Sequence, residues 1–506
     1  MKKIIYILLG LLVASSFTAC EPEFSNPVSD ESYTSGDADF SNYVAIGNSL
    51  TAGFTNGTLY KSAQENSFPA ILAGQMKIVG GGDFTQPYLD DDTNNVGGML
   101  LSGTPIVAPK LVIDASAGKP EHINQNPTMD VTNIHPGPYN NMGVPAAKIY
   151  HMGFQGYGNL ANLPLGLANP YFVRMASAPN KSIMEDVVAE NPTFFTLWIG
   201  SNDVLWYATS GGTGVDQNGA GNTNPTTYGP DDITHVNVFA GAYQQIVDHL
   251  TANGAKGVLA TIPDVASVPF FTTIPYNPIP LTDQAQVDAL NDVVYKNYNQ
   301  GLQDAVSANL ITQDEADART IHFELGANAL VIQDEYLTDL TGLSTPIPSI
   351  RQATEDDLVV LTAKSIIGTP DPNNPTGVFG ITSPLEDKWI LSKKEIAEVR
   401  TATTGYNQVI NNIAAAKHLA VADMAALMKQ MKNGLVIEDG SFYTADYFNG
   451  TNLDNLLFGL DGVHPTPRGY AVIANKFIDV IERAYGAKLP KVIPANYPTF
   501  DILPTN

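Results

Sequence analysis

Tyr43-Val44-Ala45-Ile46-Gly47-Asn48-Ser49-Leu50-Thr51-Ala52-Gly53 is the stretch from which the rest of the chain can be read. Four residues suited to a buried strand run into Gly47, and a short polar turn comes next with Ser49 on it. Open parallel α/β sheets place their ligands outside the carboxyl ends of the strands, where this serine stands. Two distant stretches give it weight: Trp198-Ile199-Gly200-Ser201-Asn202-Asp203 and Leu460-Asp461-Gly462-Val463-His464-Pro465. The three segments supply a hydroxyl, an amide donor, a carboxylate and an imidazole, which are the parts of an acyl-transfer site.

Working outward, Ser182-Ile183-Met184-Glu185 has capping-box spacing and opens a helix that ends before Pro192. Thr193 to Ile199 is a nearly continuous apolar strand, as expected when both faces are buried. Val236, Phe239, Tyr243, Ile246, Val247 and Leu250 make a helical stripe closed by Asn253-Gly254, and Val258 to Ile262 is the next strand. This alternation predicts a parallel, doubly wound sheet. A second capping box, Ser392 to Glu395, opens a helix carrying Ile396, Val399, Tyr406, Ile410 and Ile413. Leu419 to Ala422 is the last strand of the sheet. Thr466-Pro467 then starts a helix with an apolar face from Tyr470 to Ile481.

Between these elements the pattern is weaker. Phe68 to Ala73 reads as a short helix, Leu111 to Ile113 as a strand and Asn140 to Ala147 as a turn. Asp90-Asp91-Asp92 reads as a solvated loop, since it lacks the ligand spacing of an EF-hand. Gly211 to Asn224, rich in Gly, Asn and Thr, reads as a mobile loop. Phe270 to Pro280 is an apolar, Pro-rich loop and a candidate acyl pocket. One long helix is predicted from Asp283 to Val306. Leu310 to Lys388 reads as an insertion with strand-like pieces at Ala329–Ile332 and Leu358–Leu361. His135, His151 and His249 read as structural, and His322 as a core residue.

The chain has 506 residues and a net charge of −25, which disfavours nucleic acid as a partner. Its single cysteine, Cys20, rules out an internal disulfide. Met1-Lys2-Lys3, the apolar run Ile4 to Val13 and Phe17-Thr18-Ala19 before that cysteine form a signal-peptide pattern. The arrangement resembles a bacterial lipoprotein signal, with an ordinary secretory signal as the alternative. Residues 1–19 are then the signal, Cys20 the lipidated residue and 20–40 a tether. The expected location is the cell envelope: lipid-anchored at a bacterial outer membrane, periplasmic or surface-exposed.

Gly47-Asn48-Ser49-Leu50, Gly200-Ser201-Asn202-Asp203 and Asp461-Gly462-Val463-His464 resemble, in order, three signature blocks of the GDSL, or SGNH, hydrolases. The resemblance implies an α/β fold, a three-layer α/β/α sandwich with a mostly parallel, flavodoxin-like sheet. It would span 41–490, with insertions near 81–135, 205–235 and 265–390 and a tail at 491–506. The implied roles are Ser49 as nucleophile, His464 as general base and Asp461 as the residue that orients it. The backbone N–H of Ser49 and the carboxamide of Asn202 would donate to the oxyanion. Asn141-Met142-Gly143-Val144-Pro145-Ala146 is similar to a fourth block and makes the N–H of Ala146 a third donor. The family has glycine there, so alanine fits provided the position needs no positive φ. Asn48 stands where the family has aspartate.

The function these residues imply is hydrolysis of a carboxylic ester, lipid acyl or O-acyl sugar, by a monomer without cofactor or metal. The substrate would be a small molecule or a polysaccharide ester, and the membrane would be reached through the lipid anchor. A surface glycan-binding lipoprotein without activity is the alternative, resting on the Asn48 and Ala146 departures.

Overall fold

The computed structural model describes residues 32–89, 94–114, 119–437 and 440–503. The signal segment, Cys20, the first part of the tether and Asp90-Asp91-Asp92 lie outside the described residues.

Five parallel strands form the central sheet: β1 (Tyr43–Gly47), β2 (Asn141–Gly143), β3 (Phe194–Trp198), β4 (Lys256–Ala260) and β5 (Ala420–Ala422). Their order is β5-β4-β3-β1-β2, so the chain reverses its direction of winding between β1 and β3. Every residue of β1 and of β3 is buried, which is why both read as unbroken apolar runs. The stretch expected to be a turn, Asn140 to Ala147, contains a strand, β2. Its Asn-Met-Gly sequence has no apolar run, but its three residues pair with Ala45, Ile46 and Gly47. Gly47 ends β1 because nothing larger fits: a Cβ there would lie 2.3 Å from the Trp198 carbonyl oxygen. Gly143 is required for the same reason, at 2.3 Å from the backbone nitrogen of Ala52.

The helices that frame the sheet and its carboxyl ends are α1 (Ser49–Ala52), α2 (Phe68–Ile78), α3 (Ile183–Ala189), α4 (Asn202–Thr209), α5 (Val236–Thr251), α6 (Lys393–Lys417), α7 (Met424–Asn433) and α8 (Pro467–Tyr485). Both expected capping boxes form, at Ser182 on α3 and Ser392 on α6. α8 packs on α2, with the rings of Phe68 and Phe477 stacked at 4.8 Å and Trp198 against both. α5 packs on α6 through Phe239 and Tyr406, stacked at 4.2 Å.

Several expectations change in detail. The long helix after Asp283 is broken by a π-helical turn at Leu290–Val294, between helices at Gln284–Ala289 and Lys296–Ser307. The Gly211–Asn224 stretch contains a helical turn, Gln217–Ala220, and Gln217 is buried against Asp232. Phe270–Pro280 begins in a helical turn and ends in a strand, Ile279–Leu281, paired with Gly326–Asn328. The tether is shorter than expected. Thr34 bridges to Lys488, and Ala38 and Phe40 are buried in the core. The tail is docked too: Ile502 and Leu503 pair with Ile113 and Asp114.

Where α6 meets α4, Glu395 is fully buried. Its Oε2 accepts the Ser392 N–H at 2.6 Å, while Oε1 has no partner. Burial pushes its carboxyl up to about 8. An unfolded chain releases this proton near about pH 4.3. Stability from the neutral form is therefore complete below that pH and is lost as pH rises through about 8. Glu395→Gln should flatten this loss, which is worth a few kcal/mol, roughly. Urea midpoints measured across the window check it, and parallel curves for the two proteins would contradict it.

Candidate active site

Ser49 is the first residue of α1 and is buried. Asn48 caps that turn: its side-chain oxygen accepts the Leu50 N–H at 3.1 Å, as an aspartate oxygen would. The departure at Asn48 thus keeps the acceptor and leaves only its buried Nδ2 without a partner.

The Asp461–His464 loop is shaped by its own aspartate. Oδ1 accepts the N–H groups of Val463 and His464 at 2.9 and 2.8 Å. Oδ2 accepts the Gly57 N–H at 2.8 Å, and Leu460 N–H reaches the Asn56 side chain at 2.9 Å. These bonds fasten the loop to the segment just beyond Ser49, 404 positions away in sequence. Phe54 packs against the imidazole, ring centres 4.5 Å apart.

The result is a continuous hydrogen-bond chain. His464 Nε2 lies 2.9 Å from Ser49 Oγ, and His464 Nδ1 lies 3.1 Å from Asp461 Oδ2. A carboxylate can only accept, so Nδ1 carries the ring proton and Nε2 is free to accept from the serine hydroxyl. Burial opposes ionisation of Asp461, but the His464 charge and the N–H donors outweigh it and hold its carboxyl below the usual range. The arrangement can take a proton from Ser49 and stabilise the cation that forms.

Asn202 opens α4 and is buried; its Nδ2 donates to the Ala147 carbonyl at 2.9 Å. That bond uses one of two amide hydrogens. Among the described residues, the backbone N–H groups of Ser49 and Ala146 have no acceptor. Ala146 sits at positive φ, +67°, so the condition on which alanine fits there without strain is not met. A residue with a Cβ costs about 1–2 kcal/mol in this left-handed region. Ala146→Gly should therefore stabilise the fold by up to about 1 kcal/mol, the relief less the added entropy of the unfolded chain. Urea denaturation reads the sign, and a destabilised variant would contradict it.

Asp203 has no role that the sequence reveals, although it sits in a signature-like block. It is fully buried, and its Oδ2 and Oδ1 accept the Ile149 N–H at 3.0 and 3.3 Å. It thereby clamps the loop that carries Ala146 to the start of α4. His151 is stacked on Tyr157, and burial pushes it down to about 3. His135 and His249 are exposed, and so is His322, which the sequence places in the core. Among the described residues no group of His, Asp or Glu side chains is placed to hold a metal.

Beside Ser49 and His464 opens a cavity. Val265, Val268, Met424, Leu427, Met428 and Met431 form much of its wall. The Phe270–Pro280 loop is not its lining. That loop instead braces the histidine loop, with Phe270 N–H donating to the Gly462 carbonyl at 2.9 Å.

No family model, curated protein or solved structure matches this chain.

Proposed function

We propose that the chain is a serine ester hydrolase of the GDSL type, with the helices of the α2–α8 and α5–α6 pairs covering opposite faces of the sheet as a three-layer α/β/α sandwich. The observation that carries this reading is the unbroken Ser49–His464–Asp461 chain, at 2.9 and 3.1 Å. In this reading Ser49 Oγ bonds to the ester carbonyl carbon, its proton passes to His464 Nε2, and the carbonyl π pair moves onto oxygen. Donors at Ser49, Ala146 and Asn202 stabilise that oxyanion. Collapse re-forms the carbonyl and breaks the bond to the alcohol oxygen, which takes the proton from Nε2. Water then attacks the acyl-enzyme by the same route, releasing a carboxylic acid and restoring Ser49. Lipidation at Cys20 would hold the enzyme at the cell envelope.

The experiment is turnover of p-nitrophenyl acetate by wild type and Asn202→Ala. The wild type should be active, and loss of one oxyanion donor should lower kcat by about 10²–10³-fold. An inactive wild type, or an unchanged rate in the variant, would contradict the assignment.

A further inference from the structure

The polar side chains lining the cavity, Asn48, Ser49, Ser201, Asn202 and His464, all belong to the ends of β1 and β3 and to the histidine loop. Beyond them and the Trp198 indole N–H, the side chains of the wall are carbon and sulfur. One side of α7 supplies Met424, Leu427, Met428 and Met431, spaced i, i+3, i+4, i+7 so that they line one helix face. Val265 and Val268, from the segment after β4, and Leu205, Phe458 and Ile473 add to the apolar wall.

The cavity takes in about 690 Å³ of atom-free space, its open mouth included. We call this apolar space the slot. A sugar ring would bring several hydroxyls to a wall that cannot hydrogen-bond them, at a cost for each one. An alkyl chain has no such demand and is favoured by every methylene it buries. Methionine walls suit it, since their unbranched side chains adjust to irregular contents.

The geometry points to the acyl chain of a linear, medium-chain carboxylic ester as the occupant, entering with its carbonyl at Ser49 and its tail along α7. Met424 to Met431 is seven residue-to-residue steps, about 10 Å of helix. An extended chain advances about 1.25 Å per carbon, so about eight carbons match that length. The inference rests on the esterase reading for its chemistry and on the cavity alone for its binding.

Two measurements separate those supports. The first compares kcat/KM for p-nitrophenyl acetate, butyrate, octanoate and palmitate. Each buried methylene is worth about fourfold, the ratio that about 0.8 kcal/mol corresponds to. Octanoate, six methylenes longer, should exceed acetate by on the order of 10³-fold, with no further rise at palmitate. Met428→Trp on α7, or Val268→Phe in the segment after β4, should lower octanoate turnover far more than acetate turnover. The second is calorimetric titration of the Ser49→Ala protein with sodium octanoate and sodium acetate, which needs no catalysis. Octanoate should bind with a negative heat-capacity change, and each plugging variant should weaken it. Octanoate binding by a protein that turns over no ester upholds the slot and sinks the enzyme reading. Acetate turnover without chain-length preference or octanoate binding overturns the slot and leaves the enzyme reading standing.

Discussion

Ser49→Ala is expected to lower kcat for short p-nitrophenyl esters by on the order of 10⁶-fold while the urea midpoint barely moves. The size reflects what is removed. Ser49 Oγ is the atom that would form the covalent bond, and among the described residues it is the hydroxyl bonded to His464 Nε2, at 2.9 Å. Without it the imidazole has no serine hydroxyl to deprotonate. Donors at Ala146 and Asn202 remain, so a residual rate above that in water should persist. Folding should be nearly indifferent. Alanine suits the first turn of α1, and the Asn48 cap onto Leu50 does not involve the serine side chain. Steady-state kinetics and urea denaturation on the same preparation check both halves.

The second large effect is expected from Asp461→Asn, a loss of about 10⁴-fold in kcat. The substitution keeps the size of the side chain and can keep an oxygen on the Val463 and His464 N–H groups. The other carboxylate oxygen accepts from His464 Nδ1 and from Gly57 N–H. An amide nitrogen in its place is a donor. It therefore favours the tautomer whose proton sits on Nε2, where it cannot accept from Ser49. It also removes the charge that offsets the imidazolium formed during proton transfer. The Gly57 contact is lost as well, so the loop should loosen slightly. The expected signature is a collapse of kcat with a smaller change in KM.

What the sequence reveals and what it hides divide along physical lines. β1 and β3 are legible because burial on both faces demands apolar residues without a break. The capping boxes at Ser182 and Ser392 are legible because a cap is a contact between residues three apart. β2 is hidden because its strand character comes from pairing with β1 and not from Asn-Met-Gly itself. The π turn at Leu290 is hidden because its residues fit a helical pattern on either side. In the site, the residue types at Ser49, Asn202, Asp461 and His464 can be read, but their meeting cannot. It depends on bonds such as Gly57 to Asp461, which leave no local trace. The clamp by Asp203 and the left-handed backbone of Ala146 are invisible for the same reason. The cavity wall is misplaced by sequence alone because the sequence reading assigns nothing to Met424–Asn433, the segment that forms α7.

The most direct test is intact-mass analysis after incubation with a fluorophosphonate, combined with peptide mapping. The hydrogen-bonded trio predicts one adduct per chain, on the peptide holding Ser49, and slower labelling in Asp461→Asn. A folded protein that stays unlabelled, or one labelled on a different serine, would contradict it.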